Sequence, residues 1–180
     1  MTRRFYLAFA ACLLSLHFCT SSLASPAPSR DFLTPKEEEQ VKEARVLDKR
    51  IEVFIKAAER RVMVLNNQTL PSGKESQKEQ EAWGDLPQGT RAELINDIAN
   101  ILDAAITNID DVALRDEKNR LLPKALRMLA SAAARLQSQL APMREQAKDE
   151  AERSALEQVA INIQEILEAA NKLPPEEKKK

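Results

Sequence analysis

The chain has 180 residues, with 27 lysines and arginines against 28 aspartates and glutamates, two cysteines and one histidine. Mixed charge of this kind excludes the basic stripe that a nucleic-acid binder needs. Cys12, Cys19 and His17 all fall in the first two dozen residues, so the rest of the chain lacks the side chains most used as thiol nucleophiles, zinc ligands and neutral-pH proton shuttles.

Arg3 and Arg4 precede an apolar run from Phe5 to Phe18 that is too short to span a bilayer, and Ser22-Leu23-Ala24 supplies a small-residue exit. This pattern predicts a signal peptide over residues 1–24, cleaved after Ala24, and a secreted or periplasmic product with no stable membrane insertion afterwards. Thr2-Arg3-Arg4-Phe5-Tyr6-Leu7 also resembles the twin-arginine export pattern, but paired arginines are common in ordinary signals, so the export route stays open. Bulky Phe18 in front of Cys19 weighs against a lipid anchor at that cysteine. Because the signal holds two arginines and no acid, the mature 156 residues keep 25 bases and 28 acids. Phe32, Phe54 and Trp83 are its only aromatic residues, so the core must be built from aliphatic side chains, without disulfides.

Residues 25–33, with Pro26 and Pro28, read as a flexible leader. A first helix is predicted from Thr34 to about Asn66. Thr34 and Glu37 are spaced as a capping box, Pro35 suits the first helical position, and Val41, Leu47, Ile51, Phe54, Ala58, Val62 and Leu65 form an apolar stripe. All three glycines, with Pro71 and Pro87, lie between Asn66 and Thr90, which predicts one long loop there. Thr90 and Glu93 repeat the capping box and open a second helix, whose seam of Leu94, Ile98, Ile101 and Ala105 is expected to be the most buried; it fades in Arg115–Arg120. A third helix is predicted from about Pro123 to Leu140, with a break or kink at Pro142. The fourth should run from about Met143 to Lys172, ended by Pro174 and Pro175, with residues 174–180 a disordered charged tail. With no strand signal, the expectation is an all-α fold over 34–173: an antiparallel up-and-down bundle of about four helices with one long loop after the first.

The unusual polar feature is on the second helix. Asn96, Asn100, Asp103, Thr107 and Asp110 recur at steps of four and three although these are poor helix formers, which marks a solvated or partner-facing surface. A hard cation is disfavoured there, because residues strung along one helix cannot wrap round a point. Trp83, in Glu-Ala-Trp-Gly-Asp-Leu-Pro, is a candidate partner anchor, weighed against folding back with Leu86 over the end of the bundle. Asn67-Gln68-Thr69 is a glycosylation sequon of the kind that also arises by chance. Di-iron bundles need Glu-x-x-His pairs that the mature chain lacks, and no nucleophile elbow or phosphate-cradling glycine loop occurs. No catalytic residue, metal or cofactor is therefore assigned.

Two resemblances bear on function. Arg45, Asp48, Arg50, Ile51 and Arg61 look similar to the first helix of exported chorismate mutases, which implies an all-helical enzyme that holds a dianion with basic side chains. Asp31-Phe32-Leu33-Thr34-Pro35, leading into a helix with Arg50-Ile51, resembles a family of exported helical bacterial proteins that carries no known activity. The expectation is thus an exported helical-bundle protein that binds another protein or has a structural role. A mutase-like enzyme and a membrane-surface or lipid-binding bundle are the alternatives.

Overall fold

A computed structural model describes residues 31–69 and 74–175, so the expected signal peptide, the first part of the leader and the last residues of the charged tail lie outside the described residues. The described residues form six helices and no strand: α1 (Pro35–Glu43), α2 (Leu47–Leu65), α3 (Lys74–Trp83), α4 (Arg91–Arg115), α5 (Leu122–Glu145) and α6 (Glu150–Asn171).

Both capping boxes form. Glu37 N–H donates to Thr34 Oγ1 at 3.3 Å while Thr34 N–H donates to Glu37 Oε2 at 2.9 Å. The same exchange joins Thr90 and Glu93 at 3.2 and 2.6 Å. Each box satisfies two N–H groups that a bare helix start leaves open.

Three expectations are corrected. The predicted first helix is interrupted at Ala44–Val46, where Val46 is extended (φ −94°, ψ 136°) and Arg50 Nε donates to the Ala44 carbonyl at 2.9 Å. The break permits a tertiary contact: on a continuous helix Glu37 would stand about 35 Å from Arg60, whereas the two side chains meet at 3.2 Å. Second, the expected long loop contains α3, bracketed by Gly73 and Gly84. Gly84 ends that helix in the left-handed region (φ 67°), and a Cβ there would lie 3.3 Å from Lys36 Cγ. Third, α5 continues through Pro142 to Glu145; the last helix begins only where Asp149 caps it, accepting from Glu152 N–H at 2.9 Å. Proline so near a helix end removes only one of the last backbone bonds, and buried Met143 holds that turn on the core.

Helices α2, α4, α6 and α5 pack in a ring in that order, α1 lies on α2, and α3 touches α1. Pairs of residues fix their directions. Arg61 reaches Asp97 and Arg50 reaches Asn108, so α2 and α4 run in opposite senses. Arg91 meets Glu152 and Asn162 donates to the Ala99 carbonyl, so α4 and α6 run in the same sense. Asp48 pairs with Lys124 and Glu59 with Arg135, which makes α2 and α5 parallel as well. Arg127 donates to the Pro174 carbonyl and Arg144 shares a surface hollow with Arg153, which sets α5 against α6. Successive ring helices alternate up and down along the chain, but the link from α4 to α5 crosses the diagonal, so two of the four neighbouring pairs are parallel.

The core lies inside this ring. Ile98, Ile101 and Ala105 are fully buried, as their seam predicted, among Ile51, Ile95, Leu129 and Ile163. Among the described residues no helix is long and apolar enough to cross a membrane.

Candidate partner-binding face

The pairing of parallel helices sorts charge. Helix α4 holds Glu93, Asp97, Asp103, Asp110 and Asp111 against Arg91 and Arg115, and α6 holds Glu150, Glu152, Glu157, Glu165 and Glu168 against Arg153 alone, seven net negative charges for the pair. The opposite pair is basic: α5 carries Lys124, Arg127, Arg135 and Arg144 against Glu145, and α2 adds two more net positive charges. The charges of these four helices largely offset one another, seven net negative against five net positive.

The predicted Asn/Asp line lies on the acidic side. Asn96, Asp103, Thr107 and Asp110 are exposed and Asn100 is half-buried, so the structure brings all five to the outer surface of α4. Asn96 and Asp110 border the seam with α6. At one end of that seam Ala92, Ala151 and Ala155 form a shallow floor flanked by Asn96, Ser154 and Gln158. Near the other end a narrow slot of about 80 Å³ opens toward the core between Ile106, Leu126, Ile166 and Ala169, with Asp110 and Glu165 at its lining. Among the described residues no base pairs with Asp103, Asp110 or Glu165, whereas Glu157 faces the hollow that holds Arg144 and Arg153. No group of three or more His, Cys, Asp or Glu side chains among the described residues is placed to hold a metal ion.

Trp83 lies elsewhere. At the end of α3 it is half-buried, its ring centroid 4.9 Å from Lys56 Nζ and 5.9 Å from Arg60 Cζ. Lys56 also pairs with Glu79 at 2.9 Å. The tryptophan folds back onto α2 and does not join the α4 line.

Trp83 closes one end of a buried ionic network. Glu37 Oε1 accepts from Arg60 Nε at 3.2 Å and from Arg61 Nη1 at 2.6 Å, and Arg61 Nε stands 3.7 Å from Asp97 Oδ2. Arg60 Nη2 donates to the carbonyls of Trp83, Gly84 and Asp85, and Arg61 Nη2 to that of Phe32 at 2.7 Å. All four ionic side chains are at most 5% exposed, and two positive charges balance two negative ones. Burial pulls the Arg60 guanidinium below its ordinary range, while Glu37 opposes the shift.

Sequence reasoning missed this network, although a signal was present. Ile51, Phe54, Ala58, Arg61 and Leu65 follow helical steps, so Arg61 occupies an apolar-stripe position, and Asp97 stands likewise among Leu94, Ile98 and Ile101. A charge on a buried stripe requires a partner from another element.

The residues behind the mutase resemblance do not converge. Arg45 is exposed, Arg50 binds Ala44 and Asn108, and Asp48 is buried against Lys124, whose hydrogen bond holds the Asp48 carboxyl below the usual carboxylate range. Arg61 is committed to Glu37 and Asp97. Comparison of the chain with protein-family models, curated proteins and solved structures finds no match.

Proposed function

We propose that this chain is an exported, non-catalytic helical protein that binds another protein through the outer side of α4 and α6. The four ring helices act as a rigid up-and-down frame, and the Glu37–Arg60–Arg61–Asp97 network fastens α1 and the end of α3 to it. One observation carries the reading: the buried charges are neutralised within the protein, whereas Asp103, Asp110 and Glu165 stand exposed on one side without a basic partner among the described residues. An exposed side of one sign attracts and orients a partner of the other.

Photo-crosslinking from Asn100 on α4, with Gln137 on the basic side as control, tests the assignment in an extracytoplasmic extract. An adduct of defined mass from Asn100 alone, competed by excess unlabelled protein, is the expected result. Equal adducts from both positions, or none, overturn it.

A further inference from the structure

The seam between α4 and α6 combines three properties that together define a ligand chemistry. Its walls are parallel helices, so it offers a straight groove. Asp110 on one wall and Glu165 on the other line the same slot, and Asp103 lies two helical turns before Asp110 along α4, about 10 Å. A slot of about 80 Å³ in this seam opens toward the core over apolar Ile106, Leu126, Ile166 and Ala169, room for one small aliphatic side chain.

We propose that this seam receives a cationic amphipathic helix. An aliphatic side chain of the partner enters the slot over Ile106 and Ile166, and basic side chains one turn to either side meet Asp103, Asp110 and Glu165. This deepens the assignment of the α4/α6 side as partner-facing and rests on it. Helices bind grooves through anchors three, four and seven residues apart, and Asp103 and Asp110 stand seven apart on α4. A second copy of the chain fits less well, because Lys124 and Arg135 on its basic side already pair with Asp48 and Glu59. A free metal cation is disfavoured, since the acids line a groove and do not surround a point.

The test uses the mature chain and fluorescence anisotropy of a labelled model helix of leucine and lysine. Two comparison peptides have serine in place of leucine, or glutamate in place of lysine. The leucine/lysine helix should bind, with both comparison peptides weaker by roughly tenfold or more. The double variant Asp110→Asn/Glu165→Gln should lose affinity by roughly tenfold; both side chains are exposed, so its melting curve should not move, and circular dichroism checks this. Ala169→Leu, which fills the slot while leaving every acid in place, should weaken the same helix. Equal binding of the serine/lysine peptide, undiminished binding by the double variant, or no binding of the leucine/lysine helix overturns the proposal. Competition against the Asn100 cross-link separates the two readings. Loss of the adduct on adding the leucine/lysine helix supports both, and an adduct that survives excess peptide overturns the cationic helix alone. Absence of any Asn100 adduct overturns both.

Discussion

Glu37 and Arg61 stand 24 positions apart in the chain and meet at 2.6 Å, with neither side chain more than 1% exposed. The same carboxylate oxygen also accepts from Arg60, and the other oxygen completes the cap of α1, so one residue ties a helix start to two buried cations. Removing a partner from a buried ionic group leaves uncompensated charge, which costs far more than the intact pair contributes.

Glu37→Gln should therefore destabilise the protein by about 3–5 kcal/mol, measured as the shift of the urea midpoint at constant slope. The only tryptophan sits against Arg60, so its fluorescence should report the same loss. A change below about 0.5 kcal/mol, the range of ordinary surface substitutions, would show that Glu37 does not hold the arginines.

Ile101→Ala should lower stability by about 2–5 kcal/mol, because Ile101 is wholly buried on the densest seam of α4 and truncation leaves a cavity inside the ring. Chemical denaturation measures it. A near-neutral result would place the core on another side of α4.

Asp103→Asn should change stability by no more than about 0.5 kcal/mol, and millimolar calcium should leave the melting temperature in place. A rise of several degrees with calcium that vanishes in the variant would make α4 a cation-binding surface.

Asp48 gives the protein an acid-dependent increment. Its folded carboxyl titrates below the ordinary aspartate value because Lys124 donates a hydrogen bond to the charged form. Stability from this pair is thus present above the unfolded value, about 4, and lost as pH falls through the lower folded value. The melting temperature of wild type should exceed that of Asp48→Asn by a constant margin at neutral pH, and the margin should shrink on the acid side of about pH 4. Lys124 is more than half exposed, so the margin should be small. A margin independent of pH would remove the ionic cause.

Export should yield a mature chain starting near Ser25, read by N-terminal sequencing of the protein recovered outside the cytoplasm. Recovery of a soluble cytoplasmic protein that begins at Met1, or of a lipidated Cys19, counts against it.

The sequence by itself determined the local events: two capping boxes, the apolar seam of α4, and helices without strands among the described residues. Each depends on residues within a turn or two of one another, where propensity and periodicity act directly. The outward position of Asn96, Asp103, Thr107 and Asp110 was legible for the same reason. Only the tertiary structure decided the rest. The break at Ala44–Val46 turns α1 back on α2 so that Glu37 reaches Arg60 and Arg61, a contact between positions far apart in the chain that no local pattern encodes. The helix within 74–83 was hidden because its composition is polar, and the structure shows it held by Lys56, Gln40 and the Arg60 cap on the carbonyls that follow it. The ring order could not be read from helix lengths, since a sequential ring and one with a diagonal crossing bury the same stripes. Choosing the second brought α4 beside α6, and that adjacency, which no local pattern encodes, gathers the acids of two distant segments onto one side of the molecule.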